Sequence, residues 1–229
     1  METIVELKNI SKIYQQGKVE VKAIDNVSLV INKGDFVALC GPSGSGKTSV
    51  LNLIGGLDEP TSGGVWLEGV NLADQTHAQL AEIRKNRIGF VFQAYNLIPV
   101  LTAYENAAFV LDLQGVKETA IHQRVMQTLT EVGLAGLEHR RPDEMSGGQQ
   151  QRVAIARAIV TRPAIVLADE PTANVDSYTA ESLLDLMQNL NEQYGITFLF
   201  SSHDQHVIDR AQRIIQVQDG KITSDERRV

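Results

Sequence analysis

Residues 41–48 read Gly-Pro-Ser-Gly-Ser-Gly-Lys-Thr. This is the two-glycine, Lys, Ser/Thr spacing of a loop that cradles phosphates. Successive backbone N–H groups in such a loop form a concave nest for an anion, and glycines let the backbone come close to it. The helix that opens at Lys47 aims the positive end of its dipole at the same place. Lys47 can reach the outer phosphates of a nucleoside triphosphate, and the Thr48 hydroxyl can bind Mg²⁺. The candidate nucleotide contacts are therefore Gly41, Pro42, Ser43, Gly44, Ser45, Gly46, Lys47, Thr48 and Ser49.

A second group suits the same chemistry. Ala164-Ile-Val-Leu-Ala-Asp169-Glu170-Pro171 is an apolar run that ends in two carboxylates. Neighbours on a strand point to opposite sides, so the pair can take different jobs. Asp169 suits the metal environment. Glu170 suits the polarisation of an attacking water. Alone, such an ending also fits an acidic turn after a buried strand; the phosphate loop favours the functional reading. A third device is Ser146-Gly147-Gly148-Gln149, where Ser146 fits an N-cap and Gln149 completes a capping box. Two glycines at a helix start cost about 1 kcal/mol each unless close backbone approach is needed. A second bare helix N-terminus is a second anion site, and a chain that binds one nucleotide has no obvious use for two.

These groups need elements to hold them. Phe36–Cys40, Ile88–Phe92, Ala164–Ala168 and Ile196–Phe200 read as short buried strands. Helical patterns cover Lys47–Leu57, Gln149–Thr161, Ser177–Tyr194 and Gln205–Arg213. Strands alternating with helices predict a parallel sheet with crossover helices. Ile4–Ile10 and Ala23–Ile31 alternate like an antiparallel pair that Val65–Val70 can join. Ala103–Leu137 is mostly helical and reads as an inserted helical subdomain. The charged stretch Ser224–Val229 reads as a frayed end.

Composition excludes several classes. The chain has 229 residues, 43 % hydrophobic and 21 % charged, with a net charge of −7 and one cysteine. Cys40 alone cannot form an internal disulfide, so a secreted disulfide scaffold is excluded. The longest apolar runs are about five residues, far below the ~20 needed to cross a bilayer, and the start has no signal-peptide pattern. The acidic balance argues against a nucleic-acid partner. The expectation is a soluble intracellular protein. His77, His122, His139 and His206 show no zinc-ligand spacing.

Met145-Ser-Gly-Gly-Gln-Gln-Gln-Arg-Val-Ala-Ile-Ala-Arg157 closely resembles the signature sequence of the ATP-binding-cassette (ABC) ATPases. The resemblance runs over nearly the whole chain and in the family's order: phosphate loop, Gln93, signature, Asp169-Glu170, the loop ending at Asp176, and His203. It implies an α/β fold: a P-loop NTPase (RecA-like) core with an N-terminal antiparallel β-subdomain and an inserted helical subdomain. Residues 1–93 and 156–229 would form the core with the β-subdomain, and 94–155 the helical part.

The resemblance also implies roles. Two copies would pair head-to-tail around two ATP molecules, each site joining one copy's phosphate loop to the other's Ser146, Gly147, Gly148 and Gln149. Tyr14 matches the residue that stacks on adenine, and an ordinary strand-end tyrosine is its other reading. Gln93 matches the loop glutamine that senses Mg²⁺ and the lytic water, and His203 the switch histidine on the γ-phosphate. Asp176 would cross the dimer interface. Met145 stands where the family usually has Leu, and Ala173-Asn-Val-Asp176 departs mildly from the usual loop; neither change removes a catalytic group. Phe92–Asn106 is similar to the cassettes of lipoprotein-release, macrolide-efflux and antimicrobial-peptide systems. That implies an ATP- and Mg²⁺-dependent subunit on the cytoplasmic face of the inner membrane. It would drive a separate integral membrane permease, with a large extracytoplasmic domain, docked near Tyr95–Val100. The alternative is a regulatory cassette of a cell-division complex that transmits force without moving a substrate.

Overall fold

The computed structural model describes residues 2–17 and 19–228. In chain order it begins with strands β1 (Thr3–Gln16), β2 (Val19–Asn32) and β3 (Phe36–Cys40), helix α1 (Lys47–Ile54), and strands β4 (Ser62–Leu67) and β5 (Val70–Asn71). Helix α2 (His77–Arg87) leads into strand β6 (Ile88–Val91), and helices α3 (Ala103–Leu113), α4 (Glu118–Glu131) and α5 (Gly147–Ile159) follow. The chain ends with β7 (Ile165–Asp169), α6 (Ser177–Tyr194), β8 (Thr197–Ser202), α7 (Gln205–Arg210), β9 (Arg213–Gln218) and β10 (Lys221–Arg227).

Two sheets form. One is four-stranded and antiparallel, in the order β2-β1-β4-β5. The other is six-stranded, in the order β10-β9-β3-β8-β7-β6, and parallel except for β10. Its central strands are apolar on both faces, as a sheet covered on both sides requires. On β3, Phe36, Ala38 and Cys40 join the core under α3–α7, while Val37 and Leu39 join the core around α1. That second core holds Val50, Leu51 and Ile54 of α1 together with Val5, Leu7 and Ile31 of the antiparallel sheet. Helix α1 is therefore sandwiched between the sheets, and the phosphate loop at its start is fixed from both sides.

Register brings the site together. Cys40 pairs with Ser202, and Asp169 pairs with Ser201. The chain therefore leaves β3, β7 and β8 along one edge, at Gly41, Glu170 and His203. Ligands bind outside this carboxyl edge in open α/β sheets.

The structure differs from the sequence expectations at several boundaries. Ser224–Arg227 is not frayed: it belongs to β10, paired with β9, and Val229 of that expectation lies outside the described residues. The last helical pattern stops at Arg210, because Arg213 already pairs with Val37 as the first residue of β9. Helix α1 ends at Ile54, before the Gly55-Gly56 pair. Helix α2 has no counterpart in the sequence reading: Leu80 is its one buried residue, so it carries no apolar period to detect. Helix α5 starts at Gly147, two residues before the expected Gln149, and ends at Ile159.

Candidate functional site

The loop before α1 is built by its glycines. Gly41 and Gly46 have φ of 151° and 108°, conformations that side-chain-bearing residues avoid. A Cβ on Gly46 would sit 2.5 Å from the Ala23 carbonyl oxygen, and one on Gly41 would run into that of Val217. Nothing lies within 4 Å of a Cβ placed on Gly44, so the outer face of the loop is open. Lys47 is buried at 7 % exposure, and its Nζ donates to the carbonyls of Gly41 (2.8 Å) and Pro42 (3.1 Å). Ser45 Oγ is buried in the same loop without a hydrogen-bond partner.

At the ends of β7 and β8 five side chains interlock with Thr48 of α1 in two sets. Thr48 Oγ1 donates to Asp169 (3.1 Å to Oδ1), and Ser201 Oγ donates to the same oxygen at 2.7 Å. Ser202 Oγ reaches Glu170 Oε2 at 3.3 Å, and His203 Nδ1 lies 2.7 Å from Glu170 Oε1. Glu170 has φ 46°, a left-handed corner for a residue with a side chain. It is held by its N–H to the Ser201 carbonyl and by the Ala173 N–H to its own. The corner turns Glu170 off the line of the strand, so consecutive carboxylates meet different partners.

These residues fit a Mg²⁺ nucleotide. Mg²⁺ takes oxygen ligands, and typically one or two from protein, with phosphates completing the set. Thr48 and Asp169 offer that oxygen pair. Among the described residues no cluster of three or more His, Cys, Asp or Glu is placed to hold a metal unaided. The orphaned Ser45 hydroxyl and the open loop face suit a phosphate.

The remaining candidates stand apart from this group. Ser146 caps α5: its Oγ accepts from the Gln149 N–H at 3.3 Å, and Gln149 Oε1 accepts from the Ser146 N–H at 3.0 Å. Both glycines that follow are already approached by this chain. A Cβ on Gly147 would sit 2.9 Å from the Tyr95 hydroxyl, and one on Gly148 would run into the Thr179 methyl. Packing alone thus accounts for both glycines. Asp176 caps α6 and accepts from the Thr179 hydroxyl (2.6 Å) and N–H (3.0 Å), which together hold its carboxyl below the usual range. The Gln93 side chain is exposed, and its backbone carbonyl accepts from Asn174 Nδ2 at 2.9 Å. Tyr14 donates to Asp58 at 2.8 Å, with Lys12 Nζ 5.0 Å from its ring centre. A cavity of about 430 Å³ framed by Arg87, Arg124, Arg162 and Tyr194 lies at the opposite, amino-terminal edge of β6–β8.

Sequence reasoning did not single out Ser201 and Ser202. Their signal was two hydroxyls closing an apolar strand, in register with two carboxylates closing the next. Asn174 and Arg157 lie within the motifs but carry no signal of their own in the sequence. Arg157 is half-buried and donates to the carbonyls of Tyr95 (2.9 Å) and Asn96 (2.5 Å). Burial pushes its guanidinium pKa down.

Fold and site together define a P-loop nucleoside triphosphatase. Residues 24–173 match the family model described as ABC transporter, and the chain belongs to this family, whose cassettes bind and hydrolyse ATP. It is 43 % identical to an uncharacterized ABC transporter ATP-binding protein of Thermotoga maritima, covering 100 % of this chain and 97 % of that one. It is 44 % identical to the macrolide export ATP-binding/permease protein MacB of Syntrophobacter fumaroxidans over 96 % of this chain, but spans only 31 % of that relative. Among solved structures, the cassette MJ0796, a dimer in a post-hydrolysis state bound to ADP and Pi, superposes with a TM-score of 0.90 at 42 % identity, covering 98 % of both chains. The MJ0796 sequence is that of Methanocaldococcus jannaschii. No helix among the described residues is long and apolar enough to cross a membrane.

Proposed function

We propose that this chain is the ATP-hydrolysing subunit of an export system. It would close as a head-to-tail dimer around two ATP molecules and drive an integral membrane permease from the cytoplasmic face of the membrane. The observation that carries this reading is the convergence of Lys47, Thr48, Asp169, Glu170 and His203 on one sheet edge. The macrolide-export relatives support export, and the dimeric MJ0796 cassettes support pairing. The nature of the cargo, and a large extracytoplasmic domain on the permease, belong to the same proposal.

In this reading the loop from Gly41 to Ser49 holds the phosphates, with Lys47 neutralising charge on the outer ones. Thr48, Asp169 and Gln93 would hold Mg²⁺. The metal, when bound, neutralises charge that develops on the transferred phosphate. Glu170 accepts a hydrogen bond from the attacking water and polarises it. His203 holds the Glu170 carboxylate in the tautomer protonated at Nδ1, and donates to the γ-phosphate in the tautomer protonated at Nε2. Tyr14 offers a face to the base. Ser146, Gly147, Gly148 and Gln149 serve the partner copy's nucleotide; the capped Ser146 oxygen still leaves its hydroxyl hydrogen free to donate. Asp176 lies at the interface between copies. Residues 94–155 act as the lever against the permease.

The test is Glu170→Gln. The variant keeps ATP binding, loses nearly all turnover and accumulates as an ATP-dependent dimer on size-exclusion chromatography. Turnover at the wild-type rate would show that Glu170 is not the group that polarises water.

A further inference from the structure

Tyr95 lies in the segment placed against the permease and Asn174 belongs to none of the roles above, yet hydrogen bonds from three separate elements meet on them. Tyr95 and Asn96 have φ of 59° and 49°, a left-handed turn directly after Gln93. Residues with side chains keep such a turn only where their surroundings enforce it. Arg157 enforces it from α5 by donating to both carbonyls. The Tyr95 hydroxyl then donates to the backbone oxygen of Asn174 at 3.0 Å, and Asn174 Nδ2 returns a bond to the Gln93 carbonyl at 2.9 Å. The same hydroxyl lies over Gly147, 2.9 Å from where a Cβ would be. One phenol thus touches the Gln93 segment's partner loop and the start of α5 together. Asn174 sits between Glu170 and Asp176 on the loop that joins them.

We infer that Tyr95 and Asn174 are positioning residues. They form a two-bond latch that sets the Gln93 segment, the Ser146 helix start and the Glu170–Asp176 loop in one register. Through it, displacement of residues 94–100 moves the backbone that carries Glu170 and Asp176 within the same chain. Neither residue contacts nucleotide in this scheme. The inference rests on the ATPase reading above.

Steady-state ATP hydrolysis by the full chain tests it, with Tyr95→Phe, Asn174→Ala and the double variant beside wild type and Glu170→Gln. Tyr95→Phe keeps the ring and removes only the hydroxyl, so the fold should survive, and thermal melting checks this. Each single variant should lower kcat about tenfold, the scale of a small misplacement of reacting groups. KM for ATP should stay within about twofold, because the phosphate loop is untouched. The double variant should fall no further than the worse single one, since both bonds close one latch. ATP turnover by wild type and its loss in Glu170→Gln establish the parent reading in the same assay. Wild-type kcat in both latch variants, KM rising in step with the loss, or losses that multiply would each overturn the latch alone.

Discussion

At the scale of single residues, hydroxyls decide what each carboxylate does. Asp169 is shared by Thr48 and Ser201, whereas Glu170 is turned through its left-handed corner to Ser202 and His203. The sequence named the acids and the histidine because their motif spacing is diagnostic; two serines after an apolar run carry no such spacing, and only strand register gives them partners. Cys40 offers a separate test of how closed the strand beneath the loop is. Burial pushes its thiol up to about 11 from 9.0, against a smaller opposing pull from Lys47. The neutral thiol is favoured in the fold, so its contribution to stability is complete below pH 9.0 and is lost as pH rises towards about 11. Two units leave about 100-fold less thiolate at pH 8 than in an ordinary cysteine. Alkylation at pH 8 should therefore be more than about 100-fold slower for the native chain than for the chain in urea. Equal rates would mean that this strand end opens readily.

At the scale of elements, helix α5 is fitted to α6 by the absence of a side chain. Gly148 lies under the Thr179 methyl, and Thr179 in turn holds Asp176. Helix propensity alone would make Gly148→Ala stabilising by about 1 kcal/mol. The contact reverses the sign: the added methyl overpacks the pair and should cost about 1–3 kcal/mol in chemical denaturation. Thr179→Ser in the same chain removes the offending methyl, keeps the hydroxyl for Asp176, and should recover much of the loss. If Gly148→Ala proves as stable as wild type, the glycine is not there for packing. The strands of the parallel sheet were legible because both faces are apolar, and so was the antiparallel pair through its alternation. Helix α2 was not, having one buried residue, and β9 went unassigned, its first residue, Arg213, falling at the end of a helical pattern because it reads as polar surface. In the structure Arg213 is buried at 8 % exposure.

At the scale of the whole molecule, Arg213 joins the two sheets. It donates to the Val30 carbonyl of β2 at 2.7 Å and forks onto Asp225 of β10, with Asp35 at 3.6 Å. Asp225 raises the Arg213 pKa further. Asp225→Ala would leave a buried charge half-compensated. Because Asp225 is partly exposed, the expected cost is about 1–2 kcal/mol, a melting drop of about 2–8 °C for a chain of this size. An unchanged melting temperature would show that the terminal strand holds nothing in place. Affinity purification from membranes should recover an integral membrane protein with the chain; repeated recovery of none would sink the proposed permease coupling. The whole-molecule plan was legible through motif order, while the closing strand was missed because its charges read as solvent-facing and find partners only across sheets. The pairing of Asp169 with Ser201 also limits how such a chain can diverge. One residue inserted into β7 would set Ala168 against Ser201 and move Asp169 into the corner now held by Glu170, a carboxyl one methylene short. Length can change cheaply in exposed loops, whereas β7 can drift only by substitution, so insertions and deletions across relatives should spare it.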